Sequence, residues 1–196
     1  RKGAEMMPVV PESRAVLAAA GAAPGRRHGP AGPRVRGLRG TRRVPGVAPM
    51  RLSRTVLDLC GGTGSWSRPY AEAGYEVIVV TLPEQDVRTY VPPKDVWGVL
   101  AAPPCTDLSS SGARWFAAKG PDALTAALAI ADACLRITMI CQPRWWALEN
   151  PVGRLSRYYG PPALWFHPWQ YGDPYTKKTG LWGRFTAPAP SVLEPP

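Results

Sequence analysis

Thr55-Val-Leu-Asp-Leu-Cys-Gly-Gly-Thr-Gly64 is the stretch that decides the fold of this chain. A mostly apolar strand, Thr55 to Cys60, runs into a turn built on Gly61, Gly62 and Gly64, and Ser65 opens a helix expected to reach about Ala73. Gly74 suits the position that stops such a helix. Glu76-Val-Ile-Val-Val-Thr81 follows as a continuous β-branched run, the pattern of a strand buried on both faces of a parallel sheet. Strand, glycine turn, helix and strand together make a βαβ unit. Its glycines let the backbone approach a ligand closely, and the helix start offers free N–H groups, so the turn has the form of a nucleotide-type site. The dinucleotide glycine spacing is incomplete, and Thr81 stands where an acid would end the second strand. The competing reading is a tight strand-to-helix turn with no ligand.

Working outward, Leu82 to Pro93 reads as a loop in which Asp86-Val-Arg88 forms a very short strand. Val96 to Ala102 is the next strand. It ends at Pro103-Pro104, because neither proline can donate to a sheet ladder and each has its φ fixed. The rigid turn aims Cys105 at whatever lies above the strand end, and Ser109 to Arg114 supplies a small polar loop able to close over a ligand. A cysteine attacks only as thiolate, so its setting decides between a nucleophile and a buried packing group. Pro121 suits the first turn of a long helix. Leu124, Leu128, Ala131, Leu135, Thr138 and Cys141 follow at helical spacing, with Cys134 and Cys141 read as packing groups. Arg144 to Leu148 is the following strand and ends in Glu149-Asn150-Pro151. An aromatic run, Leu164 to Gln170, and a basic turn, Thr176 to Thr179, lead to Gly180–Phe185, expected as an antiparallel edge strand.

Charge separates the chain into unequal parts. Residues 1–50 hold 10 of the 24 Lys and Arg and 2 of the 14 acidic residues, which is +8 of the net +10. They are rich in Ala, Gly, Pro and Arg without apolar periodicity, the composition of a disordered basic arm, and Arg34 to Arg43 would attract DNA non-specifically. The segment Ala15 to Ala23 is read as part of that arm rather than as a signal-peptide core. Met50, directly before the first globular-looking residues, leaves open a start at that point. The domain is expected over residues 51–187, with a proline-rich tail at 188–196. Four cysteines show no CxxC pair and no histidine–cysteine ligand spacing, which argues against zinc and against a disulfide framework and favours a reducing compartment. Without a run of about 18 apolar residues, no membrane-spanning helix is expected.

In chain order, each at a strand end, stand the glycine turn, Asp86-Val-Arg88, Pro104-Cys105, Glu149-Asn150 and the lysines after Gln170. This order resembles the DNA (cytosine-5) methyltransferases, particularly their compact phage-type members, over about residues 55–185. The resemblance implies a Rossmann-like α/β methyltransferase fold with a mostly parallel sheet and a C-terminal antiparallel hairpin. It implies S-adenosylmethionine as cofactor, held by Asp58, Leu59, Cys60, Gly62, Gly64, Thr81, Leu82, Asp86, Val87 and Pro103, with Asp86 on the adenine amino group. It implies catalysis by Cys105, Glu149, Asn150, Lys177 and Lys178, and nucleic-acid contacts from Ser109, Arg114 and Lys178. The partner is then a DNA substrate in a bacterial or phage-infected cytoplasm, with neither metal nor membrane; the sequence sets no oligomeric state, and a monomer is compatible with it.

The chain departs from the family at Cys60, where a phenylalanine is usual, at Thr81, which replaces a ribose-binding acid, and at Pro151, which replaces a valine. Lys177 and Lys178 stand in for a Gln-x-Arg-x-Arg motif, with Gln170 further upstream. Only 18 residues follow Lys178, so the family's recognition domain is expected to be missing or vestigial and the target short. Ala102-Pro-Pro-Cys105 lacks the polar leader and aromatic follower of the amino-methyltransferases, which favours methylation of carbon. Three alternatives stay open: an RNA or nucleotide acceptor, a modified sulfonium donor such as a carboxylated one, and an inactive DNA-binding accessory.

Overall fold

The structure, a computed structural model, describes residues 54–195. The basic arm and its attraction for DNA lie outside the described residues. β1 (Thr55–Leu59) is buried along its whole length. A glycine turn leads from it to α1 (Arg68–Glu72), and β2 (Glu76–Val80) returns parallel to β1. β3 (Gly98–Ala101) pairs parallel with the other side of β1. The long α2 (Phe116–Cys141) then leads to β4 (Trp145–Pro151), parallel to β3. After α3 (Leu155–Tyr159) come β5 (Leu164–Phe166) and β6 (Thr179–Arg184), which is antiparallel to both β4 and β5. The result is an α/β architecture around a mixed six-stranded sheet of order β2-β1-β3-β4-β6-β5, mostly parallel with an antiparallel hairpin at one end.

Alternation along the strands gives the sheet a core on each face. Leu57, Leu59, Val99, Ala101 and Leu148 pack with Ala127, Ala131, Cys134 and Ile137 of α2. Val56, Leu100 and Ala147 face the other way, onto Trp66, Tyr70, Trp145, Phe166 and Leu181. Tyr70 and Trp145 stack there at 5.2 Å, and Trp97 meets Trp145 edge-on at 5.7 Å. Leu57, Leu100 and Leu148 are completely buried, each contributing about 1.5–3 kcal/mol to the folded state.

Several elements differ from their expected form. The first helix is shorter than Ser65–Ala73, because residues 62–67 form turns and the Ser67 hydroxyl is taken by Asp58. Asp86-Val-Arg88 is a turn and no strand: the Asp86 carbonyl accepts from the N–H groups of Thr89 and Tyr90. β4 runs on through Glu149, Asn150 and Pro151, since an antiparallel partner is present there. β6 is interior rather than an edge, because β5 covers its outer side. In α2 the helix breaks at Gly120 (φ 71°, ψ −176°), which places Pro121 at the start of the second segment. α2 belongs to a helical stretch, 110–141, long and apolar enough to cross a membrane by length and composition, contrary to the expectation that no such segment exists. Part of its apolar face is nonetheless spent on the core described above. The tail is docked: the N–H groups of Ser191 and Val192 donate to the Gln170 carbonyl at 2.9 and 3.1 Å, and the Tyr171 hydroxyl donates to the Pro188 carbonyl.

Candidate active site at the carboxyl ends of the strands

Four parallel strands in register bring their ends to one edge of the sheet. Leu59 pairs with both Val80 and Ala101, and Ala101 with Leu148. Cys60, Thr81, Ala102 and Glu149, each the next residue along, therefore share one row. The strand order also reverses here, β2 lying to one side of β1 and β3 to the other. In open α/β sheets such a reversal leaves a crevice outside the strand ends.

The glycine turn is built on the left-handed region. Cys60 (φ 59°), Gly62 (φ 54°) and Gly64 (φ 68°) all lie there, and Gly61 rests so closely on Asp58 that an added Cβ would collide with its carboxyl group. Asp58 is fully buried; its Oδ2 accepts the Ser67 hydroxyl at 2.6 Å and its Oδ1 has no hydrogen-bond partner. Burial pushes the Asp58 carboxyl up to about 6, with the Ser67 bonds pulling against it.

A cleft of about 150 Å³ opens beside the turn, lined chiefly by Cys60, Thr81, Leu82, Asp86, Pro104 and Ile130. Val87 also contributes to its wall. Four of the ten residues tied by resemblance to the cofactor are thus among the chief lining, with Val87 a fifth. Asp58, Leu59, Gly62, Gly64 and Pro103 are not among its walls; Asp58 lies beneath the turn, while Leu59 and Pro103 are buried and offer backbone only. The largely apolar walls, with Thr81 and Asp86 among the lining residues, suit a flat heterocycle bearing polar edges. Asp86 is engaged by Arg88, whose Nη2 lies 2.5 Å from Oδ2, and this bond holds the carboxyl well down, at about 2.

Next to the cleft, the Pro103-Pro104-Cys105 turn is braced from β4. The Asn150 side chain donates to the Pro103 carbonyl at 3.0 Å in a buried contact. Cys105 is half-buried, and its carbonyl accepts from the N–H groups of Leu108 and Ser109 at 3.0 and 2.7 Å. Glu149 is buried and faces Lys177, with Nζ to Oε1 at 3.7 Å. Lys177 reaches it because the β4–β6 ladder continues past Pro151, where the Val152 N–H donates to the Lys178 carbonyl at 2.9 Å. The structure thereby separates the two lysines: Lys178 is exposed, its Nζ 5.2 Å from the centre of the Trp165 ring. Gln170 plays no part here. Its side chain accepts from the His167 N–H, and its carbonyl holds the tail.

The loop after Cys105 is fastened rather than free. Ser109 forms a β-bridge with Gly153, the Ser110 N–H and hydroxyl both donate to the Val152 carbonyl, and the Arg154 N–H donates to Leu108. Ser109 is consequently buried, its hydroxyl against that of Ser111 at 2.8 Å, so it presents no group to a nucleic acid in this arrangement. Arg114 is exposed beside Trp115, and the Arg154 guanidinium lies 3.3 Å over the Phe116 ring. Phe116 is thus held between the loop and α3, while Trp115 stays exposed.

Sequence reasoning missed Ser67, Gly153 and Arg154. None lies in a recognisable motif, and each acts through a partner distant in sequence or through backbone proximity. It also missed that Cys134 of α2 faces Cys60, sulfur to sulfur at 4.0 Å. Among the described residues no group of three or more His, Cys, Asp or Glu is placed to hold a metal ion. Comparison with protein-family models and with curated proteins finds no match.

Proposed function

We propose that this chain is a Rossmann-like methyltransferase that transfers a methyl group from S-adenosylmethionine to carbon 5 of cytosine in DNA. The observation that carries the proposal is the buried Glu149 carboxyl, faced by the part-exposed Lys177, beside a Pro-Pro-Cys turn that Asn150 braces. Those groups come from two neighbouring strand ends and one facing loop, and together they offer a thiol, a carboxyl and an ammonium to one planar base. The adjoining cleft, lined in part by Thr81 and Asp86, suits the adenosine end of the cofactor. When bound, S-adenosylmethionine supplies the electrophilic methyl group.

Carbon 5 of cytosine is a weak nucleophile while the ring is aromatic. Attack of the Cys105 thiolate on carbon 6 breaks that aromaticity and gives carbon 5 enamine character. Glu149 in its acid form donates to ring nitrogen 3 and offsets the charge that develops during attack, while Lys177 passes from Glu149 to the carbonyl oxygen of the base. Asn150 acts on the chain itself, fixing the Pro103 carbonyl and so the aim of Cys105. After methyl transfer, water takes the carbon 5 proton, and the electron pair released expels Cys105 as thiolate and restores the ring. Both faces of the base must be reached, so the nucleotide leaves the duplex, at a cost of a few kcal/mol in stacking and pairing. Arg114 and Lys178, both exposed, would supply the contacts to backbone phosphates.

Incubation of the protein with DNA and S-adenosylmethionine, followed by nucleoside mass spectrometry, tests the proposal. It predicts 5-methylcytosine from DNA and none from the same reaction with Cys105→Ser. A product only from RNA or free nucleotide would reassign the acceptor; a heavier adduct would reassign the donor; no product would favour an accessory role.

A further inference from the structure

Cys60 occupies an unusual place for a thiol. It is a non-glycine residue held at φ 59° in the glycine turn, it lines the open cleft, and it is only partly buried. Its sulfur lies 4.0 Å from that of Cys134, a fully buried residue on the face of α2 that packs under the sheet. The two belong to different elements, 74 residues apart in sequence. One of them can be reached from solvent through the cleft and the other cannot.

We propose that Cys60 and Cys134 form a thiol-oxidation site: a hydroperoxide entering the cleft oxidises Cys60, and Cys134 resolves it as an intramolecular disulfide. The Cys60 thiolate attacks the peroxide, giving Cys60 sulfenic acid and releasing hydroxide. The Cys134 sulfur then attacks the sulfenic sulfur as its proton passes to the departing hydroxyl, the S–S bond forms and water leaves. Two thiols are oxidised, and one hydrogen peroxide is reduced to two waters. The roles follow from position. The contact with the Cys134 sulfur lowers the Cys60 thiol, against burial and the charges of Asp58 and Asp86; the same contact, with burial, raises Cys134. Cys60 is thus the attacking sulfur and Cys134 the proton-bearing one.

Closing the sulfurs from 4.0 Å to a bond of about 2.05 Å draws the glycine turn toward α2. That movement takes place in the wall of the cleft, so the oxidised form presents an altered site. The site is independent of the methyl-transfer proposal, since it asks only for two thiols and a peroxide.

The test uses the full chain treated with hydrogen peroxide, blocked with iodoacetamide, digested with trypsin without reductant and analysed by mass spectrometry. Trypsin places the four cysteines in separate peptides, so a Cys60–Cys134 link is read directly. The expected result is a linked peptide that dithiothreitol releases, with loss of alkylation at both positions. In Cys134→Ala the link disappears and Cys60 sulfenic acid becomes trappable by dimedone. Cys60→Ser leaves Cys134 fully alkylated after unfolding, which reads the pair even if the first variant folds poorly. Cys60 and Cys134 both recovered as free thiols, or Cys60 oxidised while Cys134 stays alkylatable in the native chain, would overturn the proposal.

Discussion

At the scale of single residues, Asp58 is a carboxyl whose burial opposes its charged form. Its carboxyl stands near 6 in the folded chain against 3.8 for an unburied one, so between those values the folded state holds a proton that the unfolded state has lost. Stability from this group is complete at lower pH and is lost as pH rises through 6. Asp58→Asn keeps an acceptor for Ser67 and removes the buried charge, so above pH 6 it should stabilise the protein by about 1–3 kcal/mol. The gain should vanish toward pH 4, and urea denaturation at the two pH values checks this; a gain independent of pH contradicts it. The same variant should bind S-adenosylmethionine more weakly, a trade of function for stability. Lys177 and Lys178 make a second residue-scale contrast. Because only Lys177 faces Glu149, Lys177→Met should lower single-turnover methylation at least about tenfold, the loss of one charge-assisted contact. Lys178→Met should leave that rate within about threefold and act on DNA affinity instead. The sequence brought both lysines forward and could not separate them. Their difference rests on the ladder that carries on past Pro151, a tertiary fact.

At the scale of elements, β4 and the loop it holds deserve the closest test. Gly153 packs against the backbone of Leu108 and Ser109 so tightly that an added Cβ would overlap the Leu108 carbonyl. Gly153→Ala should therefore push the loop after Cys105 off its seat, costing about 1–3 kcal/mol and lowering methylation more than cofactor binding. Unchanged stability and rate would show that the loop adapts freely. The strands and the long helix were legible because β-branched runs and helical spacing report burial directly. The extension of β4 was hidden by Pro151, which reads as a stop until its partner in β6 is known. The loop's attachment was hidden too, since serines and glycines signal freedom in sequence, and here they permit close backbone contact instead. Asp86-Val-Arg88 looked like a strand and is a turn closed by its own ion pair.

For the whole molecule, the described sheet completes all its pairings within residues 55–184. Residues 1–50 carry most of the net positive charge, +8 of +10. Their deletion should leave turnover at saturating DNA nearly intact and weaken association in a way that fades at high salt; a truncated chain that cannot fold would contradict this. The central claim is that the fold brings a nucleophilic Cys105 to a cytosine. Fluorine at carbon 5 of the target cannot leave as a cation, so elimination stalls after methyl transfer and enzyme stays joined to DNA. The most direct measurement is therefore the denaturing-gel mobility of labelled 5-fluorocytosine DNA incubated with the protein, with and without S-adenosylmethionine. The account predicts a cofactor-dependent covalent band that Cys105→Ser abolishes and Glu149→Gln strongly slows; no band with the native chain, or a band that survives Cys105→Ser, would contradict it.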